Sequence, residues 1–165
     1  MPALTSLTLE LDFFPGPPGQ AGPLPILECL QYLSLATSFA DDIDHALEYL
    51  LQFTPNITSL TVTDTSEKHD ADEGHLIGPL LVPSWELSEG PLLCLKLEEI
   101  SLLGISTPIA KLQELVELRG SRLRKITVDG GLSGKEPWCR EENQARDQAR
   151  LEWLKERVEL SGLRG

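Results

Sequence analysis

The sequence predicts an α/β solenoid, with about five short parallel strands stacked side by side and backed by helices and irregular returns. The first observation is a pattern (aliphatic, two variable, aliphatic, one variable, aliphatic) that recurs five times in 165 residues. The second is its period: the copies begin at Leu4, Leu30, Ile57, Leu97 and Leu123, so successive starts lie 26, 27, 40 and 26 residues apart. The third is the alternation of apolar and polar residues at the end of each copy, the mark of a strand with one buried face. A period of 26 or 27 falls within the range of leucine-rich repeats, and the longer gap is the same unit with about 13 residues inserted. One such strand cannot bury its own apolar face. Stacked copies can.

The copies LTSLTL, LQYLSL, ITSLTV, LEEISL and LRKITV place strands near 6–10, 32–36, 59–63, 99–103 and 125–129. Leu33, Leu60, Ile100 and Ile126 point inward in this reading, and the aliphatic that opens each copy closes the end of the core. The first return, Phe13–Pro25, is too rich in proline and glycine for a regular helix. Residues 41–53 read as a helix with acids in its first turn and Ile43, Ala46, Leu47, Leu50 and Leu51 on its apolar side, ended by Pro55. Residues 66–74 read as a charged loop, followed at 76–82 by a short helix or extended packing segment. Thr107 and Pro108 read as N-cap and first helical position of a helix that stops at Gly120. Gly130–Gly134 is a turn.

A final helix over 138–160 is expected to cover the open end of the stack. Its broad apolar side holds Ala145, Ala149, Leu151, Trp153, Leu154 and Val158, and Glu142 and Arg146 form an i,i+4 pair. The organisation is therefore one domain: repeats over 1–137, then a capping helix and tail over 138–165. The first strand begins almost at Met1, so the leading edge is expected to lack a cap, as in a truncated chain or one that pairs there with another chain.

Charge and composition exclude several function classes. The formal net charge is −12, and residues 1–95 carry fourteen acids against one base, Lys68. Nucleic acid and anionic membranes are disfavoured partners. A small basic group, Arg119, Arg122, Arg124 and Lys125, can attract an acidic peptide. No apolar run approaches a bilayer span. Cys29, Cys94 and Cys139 are too scattered for a disulfide framework, which favours a reducing intracellular setting, and Cys29 and Cys94 read as small buried hydrophobes. His69, Asp70, Asp72, Glu73 and His75 lie on one polar segment and read as a solvated loop, so no metal is expected. His45 reads as a helix-surface histidine. No phosphate-binding glycine motif occurs and no cofactor is expected; a small hydrolytic enzyme is the least favoured alternative, because no acid–base or nucleophile cluster is placed by the pattern, and the chain is read as non-enzymatic.

The candidate site is the outward strand face. Between the last two aliphatics of the copies stand Thr8, Ser34, Thr61, Ser101 and Thr127, all small hydroxyls. The preceding outward column is Ser6, Tyr32, Ser59, Glu99 and Lys125, and the following one is Glu10, Ala36, Thr63, Leu103 and Asp129. Small hydroxyls also suit a crowded parallel sheet on packing grounds alone. The varied columns carry specificity: Tyr32 gives aromatic area, and Glu99 beside Lys125 reads equally as a cross-strand ion pair. Candidate protein-binding residues are Tyr32, Ser34, Ser59, Thr61, Glu99, Ser101, Leu103, Lys125 and Thr127.

The segments TPNITSLTV, LLCLKLEEISLLG and SRLRKITVDGG resemble the leucine-rich part of the large group of fungal F-box-like proteins, especially those of mushroom-forming fungi. The resemblance covers about residues 24–131. In that family an N-terminal F-box docks on a Skp1-containing ubiquitin ligase while the repeats hold the target. Here Leu4 is expected to belong to a strand already, so no F-box is expected before the repeats within this sequence. The resemblance implies a target-recognition part of a ubiquitin-ligase substrate receptor, or a truncated product or decoy without ligase recruitment. It implies contact with a Skp1-like adaptor only through an F-box in a longer chain, and a cytoplasmic or nuclear location.

Overall fold

The computed structural model describes residues 3–11, 25–37, 47, 50–65, 77–81, 94–130, 132–133 and 140–162. Six strands form one all-parallel sheet: β1 Ser6–Leu11, β2 Tyr32–Thr37, β3 Ser59–Asp64, β4 Glu99–Leu103, β6 Lys125–Val128 and β8 Glu159–Ser161. Their spatial order follows the chain, β1-β2-β3-β4-β6-β8. Two short strands, β5 Thr107–Pro108 and β7 Leu132–Ser133, pair as a separate parallel ribbon. The helices are α1 (residues 47 and 50–53), α2 Gly78–Leu81, α3 Ile109–Arg119 and α4 Arg140–Lys155.

The register aligns the copies residue for residue. Leu7, Leu33, Leu60, Ile100, Ile126 and Leu160 form one inward ladder, and Leu9, Leu35, Val62, Leu102 and Val128 a second. On the inner strands β2 to β6 these residues are at most 2% exposed, whereas Leu7, Leu9 and Leu160 on the edge strands are only partly buried. The opening aliphatics Leu30, Ile57, Leu97 and Leu123 are buried as well, but Leu4, which opens the first copy, lies before β1 and is 52% exposed instead of closing the core. Leu47 and Leu51 of α1, Ile77 and Leu80 beside and in α2, and Ile109, Leu112, Leu115 and Val116 of α3 complete the same core.

The joints between copies repeat as closely as the strands. The carbonyls of Thr5, Gln31, Thr58 and Glu98 each accept two backbone N–H bonds from the next copy, at 2.8–3.1 Å. Tight turns precede the strands, with Leu30, Ile57 and Leu97 N–H donating to the carbonyls of Leu27, Thr54 and Cys94. Two side chains add the same bond at equivalent positions: Asn56 Nδ2 donates to Glu28 O at 2.8 Å, and Arg122 Nη1 to Leu95 O at 3.0 Å.

The C-terminal region departs from expectation. The helix ends at Lys155 rather than 160, and the chain re-enters the sheet as a sixth strand, so the last element of the stack is β8 and not a helical cap. α4 instead packs beside α3, as the return that leads into β8. Leu154 and Val158 are buried, while Ala145 and Ala149 are exposed, which makes the apolar side narrower than the sequence suggests. Arg157 stacks on Trp153, with its guanidinium carbon 4.1 Å from a ring centroid.

Gly162, just past β8, has φ +79° and lies so close to β6 that a Cβ there would stand 2.7 Å from Val128 O. Only glycine suits both the left-handed backbone and that approach. The start of α3 also differs. Pro108 is the N-cap, and Thr107 lies buried in β5 with its hydroxyl donating to Ile105 O at 3.4 Å. The expected stop at Gly120 is present, with φ +60° and its N–H bonded to Val116 O.

All but Pro25 of the expected return at 13–25, the expected charged loop at 66–74, most of the 41–53 helix and the Glu142–Arg146 pair lie outside the described residues or side chains.

Candidate functional site

Alternation along each strand leaves one sheet face without the core contacts of the other. Its central column is Thr8, Ser34, Thr61, Ser101, Thr127 and Ser161, six hydroxyls in continuous register. Thr8 is exposed and the other five are half-buried, because neighbouring strands crowd them. The hydroxyls of Thr127 and Ser161 are hydrogen-bonded at 3.0 Å. Beside this floor runs the column Ser6, Tyr32, Ser59, Glu99, Lys125 and Glu159. Tyr32 is 53% exposed, a large amphipathic ring left uncovered on an otherwise small-residue surface. Glu99 is exposed, while Ser59, Lys125 and Leu103 are half-buried.

All nine residues singled out from the sequence therefore lie on one continuous face, four strands wide. Two more, Glu159 and Ser161, extend it and escape the sequence reading. The expected Glu99–Lys125 pairing is replaced: Lys125 Nζ lies 3.7 Å from Glu159 Oε1 on β8.

The basic group also changes character. Arg119 is buried, with Nη1 donating to Cys94 O at 2.9 Å and Nη2 to Leu80 O at 2.8 Å. Its guanidinium fastens α3 to α2 and to the turn before β4, and burial lowers its pKa. Arg124 sits 3.7 Å from Glu98, so an acidic-peptide site built from these residues loses its buried member and has its neighbours partly neutralised.

Cys94 lies against Arg119 at φ +53°, buried as expected, with its thiol 3.5 Å from Thr54 O. Burial pushes this thiol up to about 12, only partly offset by the nearby guanidinium, which keeps it in the protonated, weakly nucleophilic form near neutral pH. Cys29, expected to be buried, is exposed in the turn before β2.

No family model, curated protein or solved structure matches this chain. Among the described residues no helix is long and apolar enough to cross a membrane, and no group of three or more His, Cys, Asp or Glu is placed to hold a metal ion. His45, Cys139 and the His69–His75 segment lie outside the described residues.

Proposed function

We propose that this chain is a leucine-rich-repeat solenoid acting as a non-catalytic interaction module, which binds a protein or peptide on its outward strand face. The observation that carries the reading is the in-register floor of six hydroxyls from Thr8 to Ser161, flanked by a column that changes at every strand. A uniform floor of small side chains lets a partner backbone approach closely. The varied column beside it supplies discrimination, with Tyr32 as the aromatic anchor that interface energetics favour. In a solenoid of this kind successive strands form an extended concave binding surface. By its resemblance to fungal F-box-like proteins, we further propose an intracellular role for such a module as the target-recognition part of a ubiquitin-ligase substrate receptor, with a truncated product or decoy as the second reading.

A photo-crosslinking residue at Ser101 on β4, compared with one at Lys111 on α3, tests the location. Crosslinked partner is expected from Ser101 and not from Lys111, and capture from Lys111 alone would contradict the reading. The fate of the captured partner tests the ligase role separately: ubiquitination of the partner that is unchanged when the protein is depleted retains the binding face and removes the ligase assignment.

A further inference from the structure

We infer that the occupant of the strand face is an extended, arginine-bearing segment, with one guanidinium seated over Ser59 between Tyr32 and Glu99. The inference rests on the binding-face reading above and adds the partner's chemistry.

Tyr32, Ser59 and Glu99 are direct register neighbours on β2, β3 and β4. Two strand spacings, about 10 Å, separate the outer pair. The residue between them is a small, half-buried serine, so the surface dips between an exposed aromatic ring and an exposed carboxylate. Glu99 would be neutralised if Lys125 turned toward it, but Lys125 pairs with Glu159 on its other side. Among the described residues no ion pair reaches Glu99.

The in-register outward columns carry three carboxylates, on Glu10, Glu99 and Glu159, against the single amine of Lys125. The chain as a whole is at −12, and the first 95 residues account for that net charge, with fourteen acids against one base. Such a field repels an acidic segment and raises the encounter rate of a basic one. Arginine fits this place better than lysine. Its planar guanidinium can stack on the tyrosine ring while its fork meets a carboxylate with two hydrogen bonds, which a compact ammonium cannot do together.

The test is selection of a random-peptide display library on the full chain, followed by affinity measurements on the enriched peptides. Arginine is expected to be enriched at one position. Replacing it with glutamine, or making Glu99→Gln or Tyr32→Ala in the protein, is expected to weaken binding at least about fivefold. The double variant Glu114→Gln/Glu117→Gln, on the exposed side of α3, should bind as the parent does. Circular dichroism confirms that each variant stays folded. A library that yields no binder overturns the inference, as does a pool without arginine enrichment. Equal losses from Glu99→Gln and the α3 variant also overturn it, because they would report only generic attraction to an acidic protein. Peptides lacking arginine that still lose affinity with Tyr32→Ala overturn this inference alone and leave the binding face standing. Peptides indifferent to both Tyr32→Ala and Glu99→Gln overturn both.

Discussion

Thr127 and Ser161 share a hydrogen bond between their side-chain hydroxyls, at 3.0 Å across β6 and β8. That bond joins the last strand to the hydroxyl column of the five before it, so the outward floor is one strand longer than the repeated motif. β8 also brings Glu159 alongside Lys125, which turns that lysine away from Glu99. A strand with a degenerate sequence thus alters the charge of the face.

Core register sets the first prediction. Leu60 is fully buried in β3, while Leu95 is half exposed in the turn before β4. Leu60→Ala should cost about 2–5 kcal/mol, and Leu95→Ala under about 1 kcal/mol. Chemical denaturation of the two variants checks the ranking, and equal losses would mean that the inward ladder is misassigned.

Attachment of β8 depends on Gly162. Gly162→Ala forces a side chain into the left-handed backbone and against Val128 O, for about 1–3 kcal/mol. Gly78→Ala, in α2 with open space around it, should be neutral or slightly stabilising. Hydrogen exchange should show faster exchange at Glu159 and Ser161 in the Gly162 variant and unchanged protection in β3. Unaltered protection of β8 would contradict its close approach to β6.

Arg119 is predicted to act as a structural clamp. Arg119→Met keeps much of the packing but removes the donors to Cys94 O and Leu80 O, and should cost about 1–3 kcal/mol. Arg122→Met, at an exposed position with one bond to Leu95 O, should cost under about 1 kcal/mol. Thermal unfolding of both variants decides between a clamp and a surface cation, since near-identical melting points would leave Arg119 no special role.

Alkaline pH offers a fourth test. The Cys94 thiol titrates at about 12 in the folded chain against an ordinary 9.0, because burial disfavours the thiolate. The unfolded chain therefore loses this proton first, and its stabilising effect, complete below about 9, declines as pH rises toward 12. Stability of the parent should fall more steeply over that window than stability of Cys94→Ala. Within it the thiol of Cys29 should react with an alkylating agent in the native protein and that of Cys94 should not, measured in a Cys139→Ser background. Parallel pH curves together with fast native alkylation of Cys94 would contradict its burial.

Five strands are legible in the sequence because their inward positions keep aliphatic residues at a nearly constant spacing, and the structure places them within one residue of the expected bounds. β8 is not legible for a physical reason. The positions that carry Leu123 and Val128 in the β6 copy are occupied by Arg157 and Gly162 in the β8 copy, and only Leu160 of the three aliphatics survives. Arg157 answers the loss by stacking on Trp153, and Gly162 by pressing its backbone against Val128. Neither solution leaves an apolar signature. Arg119 misleads similarly, because beside Arg122, Arg124 and Lys125 it reads as part of a basic group open to an acidic peptide until two carbonyls are found to enclose it. Of the candidate face, the nine outward residues follow from alternation alone, whereas the choice of Glu159 as the partner of Lys125 depends on the strand that the pattern conceals.

The most direct measurement of the central claim is the affinity of a captured partner for three variants: Tyr32→Ala, Leu103→Ala, and a chain with Asp70, Asp72 and Glu73 neutralised. The strand-face variants should each lose about 1 kcal/mol or more of binding while remaining folded, and the loop variant should change mainly salt dependence and association rate. Normal binding by both strand-face variants, with affinity lost only in the loop variant, would contradict the assignment of the strand face as the binding surface.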